Sequence, residues 1–218
     1  MDRSLSLGKP EFEIDGSDKA ILELPDRLRL PLSFDVEDLR RDVKVMMNSD
    51  WVEHFVPNHY AGDWSVLPLR APLGAVHPIL QISANPDVRD WVNTPLLESS
   101  PALKSCLAAL PQPLESARLM RLGPGSRIHE HRDAQLSVEE GTVRLHIPIF
   151  TNDRVDFRLN GRAVVMRPGE LWYLQLSDPH SVANDGLTDR IHLVVDCTVG
   201  DEITELLARA AAAGSGRS

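Results

Sequence analysis

Apolar and polar positions alternate through much of the second half of the chain. In Thr142–Phe150, Val143, Leu145, Ile147 and Ile149 share one parity, while Arg144 and His146 share the other. Ile191, Leu193 and Val195 alternate with Arg190 and His192 in the same way. Successive side chains of a strand point to opposite faces, so a period of two predicts strands with one apolar face. Residues 117–122, 127–133, 156–166 and 171–176 carry further strand signals, set apart by Gly123-Pro124-Gly125-Ser126, Asn160-Gly161 and Pro168-Gly169. Asn160-Gly161 predicts a two-residue hairpin turn, because both positions accept positive φ. His180 is expected on a loop ahead of the last strand, residues 190–197.

The first half is patterned differently. Val36, Leu39, Val43 and Met46-Met47 recur at helical spacing behind Asp35, which predicts a capped helix ending near Asn48. Ser100-Pro101 followed by Leu103, Leu107 and Leu110 predicts a second helix with Ser100 as its cap, stopped by Pro111 and Pro113. Residues 21–25 and 28–32 are short alternating runs closed by prolines, which suits edge strands. Residues 54–70 read as a loop and then a strand, and 71–95 as a proline-rich loop of the lid type. Residues 201–212 predict a terminal helix.

Short strands broken by frequent turns indicate an antiparallel barrel or sandwich. With helices gathered on the N-terminal side, the expected fold is mainly β: a double-stranded β-helix (jelly roll, cupin-like). The expected division is a loose segment over 1–20, one jelly-roll domain over 21–212 with its core at 115–198, and a tail over 213–218.

Composition narrows the function. The net charge is −9 without any Lys/Arg block, which argues against nucleic acid or an anionic membrane as partner. No apolar run approaches membrane-spanning length and the first residues lack an apolar signal core, so the expected location is cytoplasmic. Cys106 and Cys197 form no disulfide framework and no zinc motif, and read as buried small hydrophobes.

The candidate chemistry lies in Arg127-Ile128-His129-Glu130-His131-Arg132-Asp133. If this stretch is extended, His129, His131 and Asp133 face one way. His-x-Asp with a distant histidine, here His180, is the ligand set of a non-haem Fe(II) site with open positions. A 2-oxoacid and dioxygen could fill those positions, and Arg190 would supply a fixed cation for the far carboxylate. Arg144 and His146 could touch the same co-substrate or the substrate. Any one of these strands could simply be wet on its polar face; the coincidence of Arg and His on three of them favours a lined cavity.

Residues 118–197 resemble the aspartyl/asparaginyl β-hydroxylase family of Fe(II)/2-oxoglutarate oxygenases, with bacterial L-proline hydroxylases the nearest in look. The matching stretches are Arg121-Leu122-Gly123-Pro124-Gly125-Ser126, His131-Arg132-Asp133, residues 144–152, Pro168-Gly169-Glu170-Leu171-Trp172-Tyr173-Leu174, His180-Ser181 and residues 190–196. The segment from Tyr60 to Arg70 extends the likeness, which covers roughly 55–200. The resemblance implies that His131, Asp133 and His180 bind iron and that Arg190 holds the distal carboxylate of 2-oxoglutarate. It puts Arg144 and His146 beside the co-substrate or the substrate carboxylate. Animal members carry glycine where this chain has Asp133, and proline 3-hydroxylases carry a C-terminal domain that this sequence is expected to lack. These departures bear on the substrate more than on the reaction.

Arg121, Arg70, His129 and Trp64 are the substrate-contact candidates, with a structural ion pair the competing role for Arg121 and a surface position for Arg70. The expected activity is hydroxylation of a C–H bond in an amino acid or peptide residue of Asp, Asn or Pro type, giving succinate and CO2. The alternative is a cupin-type metal protein using His129, His131 and His180: an isomerase or dioxygenase independent of 2-oxoglutarate, or a ligand-binding module. Neither substrate identity nor oligomeric state is legible.

Overall fold

The computed structural model describes residues 24–82 and 88–215. The expected loose segment 1–20 lies outside them, as do most of the strand expected over 21–25 and the last residues of the tail. In chain order the elements are β1 (Arg27–Ser33), α1 (Val36–Met46), β2 (Val52–Glu53), β3 (Tyr60–Ala61), β4 (Trp64–Pro72), α2 (Pro78–Ile82), β5 (Trp91–Asn93), α3 (Pro95–Glu98) and α4 (Pro101–Ala108). The second half holds β6 (Leu114–Leu122), β7 (Arg127–His131), β8 (Thr142–Phe150), β9 (Val155–Leu159), β10 (Arg162–Ala163), β11 (Glu170–Leu174), β12 (His180–Asn184), β13 (Arg190–Thr198) and α5 (Asp201–Ser215).

From β6 onward the chain passes back and forth between two antiparallel sheets. The larger runs β1-β11-β8-β13-β6-β4-β2, with β5 beside β4, and the smaller runs β10-β9-β12-β7-β3. In the larger sheet β6, β13, β8 and β11 are neighbours, and in the smaller β7, β12, β9 and β10 are neighbours. This is the winding of a double-stranded β-helix, as the strand pattern predicts.

The period-two pattern has a direct consequence in the larger sheet. Val143, Leu145, Ile147 and Ile149 of β8 and Ile191, Leu193 and Val195 of β13 join Leu39 and Val43 of α1, Leu103 and Leu107 of α4, and Ile203 and Leu207 of α5 in one core. A second core fills the space between the sheets and holds Trp64, Leu122, Ile128, Phe157, Leu159, Leu174 and Val182. The polar parity of β8 and β13 is buried as well: Arg144, His146, Arg190 and His192 are all under a tenth exposed. Solvation of that face, the ordinary fate of polar alternation, does not apply here. Both cysteines are free and buried.

Several local expectations need correction. Helix α1 begins as predicted, with the Asp35 carboxylate accepting from the Glu37 and Asp38 amides. Ser100 stands at the N-cap of α4 with Pro101 first in the helix, as predicted, but its side chain makes no capping bond. Its hydroxyl donates to the Leu96 carbonyl, and Asp42 of α1 accepts from the Ala102 and Leu103 amides instead. The supposed lid over 71–95 contains α2 and β5, short elements without a full period to show. His180 opens a strand, β12, which the sequence reading takes for loop; its burial alternates from His180 to Asn184, but Ser, Ala and Asn mask the apolar side. The Asn160-Gly161 turn is as expected, with φ of 51° and 70°. The helical layer is not confined to N-terminal elements, since α5 shares its core.

Candidate metal and co-substrate site

His131 closes β7, His180 opens β12, and the two are cross-strand partners with ring centroids 4.2 Å apart. Asp133 follows two residues later, its backbone amide donating to the Leu176 carbonyl at 2.9 Å. One ligand atom from each of His131, Asp133 and His180 lies within 4.8 Å of the others. His131 Nδ1 donates to the His129 carbonyl at 2.8 Å and His180 Nδ1 to the Asp178 carbonyl at 3.0 Å. Such bonds fix the ring and the tautomer, leaving Nε2 of each imidazole for a metal. Two imidazoles and a carboxylate on one side suit Fe(II) with the opposite positions open. The donor set and the ring orientations therefore fit the metal.

Burial opposes ionisation of Asp133, but hydrogen bonding to His131 and the Arg144 cation outweigh it and hold the carboxyl well below its usual range. Burial also disfavours protonation of His180. For His131 burial acts the same way, yet the Asp133 and His129 hydrogen bonds raise it on balance.

The expectation that His129, His131 and Asp133 share a face fails at His129. Val182 pairs with Ile128 and His180 with His131, so β7 spends one residue more than β12 between the same rungs. This β-bulge shifts the side-chain phase. Ile128 and His131 both line the cavity, whereas His129 is exposed and stays outside it. The cupin alternative, which needs His129 beside His131, loses its third ligand.

The cavity has a volume of about 270 Å³ and is bounded by Arg118, Arg144, Arg190, His146, Phe157 and Leu176 among others. Arg190 is buried and its Nε has no partner; Nη2 donates to His192 Nδ1 at 3.0 Å. Burial pushes its pKa down to about 9. No ion pair to a described carboxylate is found for it. Beside it, His146 has both ring nitrogens unpartnered, and burial first and Arg190 second keep it neutral.

Arg144 is placed differently from the expectation of a co-substrate contact. Nε and Nη2 donate to Asp196 Oδ1 and Oδ2 at 2.7 and 3.0 Å, and Nη1 donates to Asp133 Oδ2 at 2.6 Å. Each of its nitrogens already meets a carboxylate. Arg118 is a site residue the sequence reading misses. It is buried, donates to Asp196 and to the Ile82 carbonyl, and keeps an unpartnered Nε at the cavity. Its position in phase with Met120 on β6 was the available signal. Three guanidinium groups face two carboxylates here, so among the described residues one positive charge is left uncompensated.

Trp64 lines the cavity and stacks on His54 at 3.5 Å between ring centroids; Phe55 covers the other side of His54 at 4.8 Å. Burial first, and Arg118 second, lower His54 to about 4. Arg121 and Arg70 do not line the cavity. Arg121 donates to Ser65, pairs with Asp63 and lies 4.6 Å over Trp51, while Arg70 holds Asn93 and the carbonyls of Trp91, Leu114 and Glu115. Both are structural.

The family model for aspartyl/asparaginyl beta-hydroxylase matches residues 33–199. A curated relative, the L-proline cis-4-hydroxylase of Rhizobium meliloti (strain 1021), is 26% identical over 172 residues, covering 76% of this chain. The match spans 58% of that relative's length. Among solved structures, a 2OG-Fe(II) oxygenase family oxidoreductase from Burkholderia pseudomallei aligns at 16% identity over 78% of this chain and 84% of its own, with a TM-score of 0.49. A Pseudomonas putida prolyl-4-hydroxylase aligns at 10% identity over 81% of this chain and 94% of its own, with a TM-score of 0.47. No helix among the described residues is long and apolar enough to cross a membrane.

Proposed function

This chain belongs to the aspartyl/asparaginyl β-hydroxylase family, and from that premise we propose that it is an Fe(II)/2-oxoglutarate-dependent dioxygenase. Its substrate is a free amino acid or a peptide residue of Asp, Asn or Pro type, with succinate and CO2 as co-products. The observation that carries the reading is the His131, Asp133 and His180 cluster facing the same cavity as Arg190, a buried cation without a carboxylate.

In this reading His131, Asp133 and His180 hold the iron, which with 2-oxoglutarate and dioxygen supplies an oxidant able to take hydrogen from an unactivated C–H bond. Arg190 binds the distal carboxylate of 2-oxoglutarate through its guanidinium, which lines the cavity and has no ion pair to a described carboxylate. An ion pair made in a dry site is strong, and here the cation is desolvated before the ligand arrives. His146, neutral and unpartnered, can donate one N–H to a carboxylate oxygen. Arg118 offers its free Nε to a carboxylate of the substrate. Trp64, His54 and Phe55 stack as an apolar wall that keeps water from the cavity and orients the substrate.

Incubation with Fe(II), 2-oxoglutarate and a panel of free amino acids and Asp-, Asn- or Pro-containing peptides tests the assignment. Iron-dependent succinate that rises with one substrate and disappears in His131→Ala and His180→Ala is expected. Tight iron binding with no 2-oxoglutarate binding in a calorimetric titration would overturn it.

A further inference from the structure

The most elaborate polar arrangement of the interior lies one layer behind the ligands. Asp196 on β13 is buried and ionised; burial opposes its charge, yet Arg144 and Arg118 hold its pKa at about 2. It accepts from Ser116 Oγ at 2.8 Å, from Arg118 Nη2 at 2.5 Å and from two nitrogens of Arg144. Asp196 and Arg144 are direct cross-strand partners on β13 and β8. The remaining nitrogen of Arg144 then reaches Asp133 Oδ2.

We propose that Asp196 is a positioning residue for the metal site, acting through Arg144 to fix the orientation of the Asp133 carboxylate. The inference rests on the reading of His131, Asp133 and His180 as iron ligands. Two Asp196 oxygens grip one edge of the Arg144 fork, which sets the guanidinium plane. That plane aims Nη1 at Asp133 Oδ2 and so occupies this oxygen. Asp133 Oδ1, 3.4 Å from His131 Nε2, is the one left on the side of the imidazole ligand. The carboxylate is thereby presented as a single-oxygen ligand. Released from Arg144, it could turn and offer both oxygens, taking a coordination position that a bidentate 2-oxoacid requires. Asp196 touches neither metal ligand nor cavity, so its influence passes through Arg144.

The same arrangement could be only a buried ion-pair cluster that stabilises the sheet, and the test separates the two. Co(II) serves as the probe, since its affinity can be titrated and its absorption spectrum reports coordination. Asp196→Asn and Arg144→Lys are compared with Ser116→Ala, which removes another partner of Asp196 without touching Asp133. Positioning predicts that the first two lose roughly 10–100-fold in Co(II) affinity, the range typical of outer-shell partners. It also predicts an altered Co(II) spectrum in both, with affinity and spectrum of Ser116→Ala unchanged. Circular dichroism establishes that each variant is folded; should Asp196→Asn not fold, Asp196→Glu, which keeps the charge but displaces the carboxylate, takes its place, and wild-type affinity and spectrum in a folded Asp196 variant would overturn the positioning role. Wild-type affinity and spectrum in a folded Arg144→Lys protein would overturn the positioning role while leaving the metal reading intact. Failure of the unaltered protein to bind Co(II) would overturn the metal reading and this inference with it.

Discussion

Ile128 and His131 face the same cavity although they stand three positions apart on one strand. The β7 bulge that brings this about also turns His129 outward. His129→Ala is therefore expected to bind Co(II) or Fe(II) as tightly as the unaltered protein. Deleting Glu130 would make the ladder regular and leave Ile128 and His131 two positions apart, still on one face, so metal binding should survive in a folded chain. Calorimetric metal titration of both variants decides it; weakened binding in His129→Ala would return His129 to the ligand set, and lost binding in a folded deletion variant would show that the extra residue itself is needed to place His131.

The bulge marks the limit of what the sequence makes legible. Period-two patterning reads β8 and β13 correctly because each buries both faces, one among aliphatic residues and one in the cavity. The same rule applied to residues 127–133 misplaces His129, because one inserted residue inverts the phase and leaves no compositional trace. Arg190 and His146 were legible through parity. Arg144 is legible but its partner Asp196 is not: it shares the parity of Arg190 and His192, yet Val194 interrupts the polar series before it. Arg118 and Arg121 show the reverse difficulty: three residues apart on β6, they lie on opposite faces, and only the first reaches the cavity.

Arg190 should be separable from the fold. Burial without a carboxylate partner is unfavourable to the free protein, so Arg190→Met is expected to leave thermal stability unchanged or slightly raised. Loss of a charged hydrogen-bond partner should weaken 2-oxoglutarate binding by about 10–100-fold. Calorimetry with 2-oxoglutarate on Co(II)-loaded protein measures the second effect. Undiminished binding would remove Arg190 from the co-substrate site.

Asn184, at the end of β12, ties the turn before β7 to the barrel. Its side-chain amide donates to the Leu122, Gly123 and Thr188 carbonyls, and its oxygen accepts from Asn152 and the Gly186 amide. Asn184→Ala leaves several of these groups unpaired and should destabilise the protein by about 3 kcal/mol. Urea unfolding of the two proteins gives the difference, and a loss under about 0.5 kcal/mol, the level of an ordinary surface change, would mean water replaces the side chain.

Four histidines that burial holds neutral, His54, His146, His180 and His192, make the metal-free protein sensitive to mild acid. His146 and His192 lie well below their ordinary range, burial being the main cause in both, and His54 is lowered to about 4. In the unfolded chain each titrates near 6.5, so below that pH the unfolded state binds more protons than the folded one. Their contribution to stability is full above about pH 6.5 and is lost as pH falls toward the folded values. Each can remove up to about 1.4 kcal/mol per pH unit across that interval. His131, whose pKa is raised, works in the opposite direction and offsets part of the loss. The urea midpoint of chelator-treated protein should accordingly fall between pH 7 and pH 5. His192→Asn should flatten that dependence, because it removes a titrating ring while its amide can still accept from Arg190. An unchanged midpoint across this range in the unaltered protein would show that the buried histidines take up protons without unfolding.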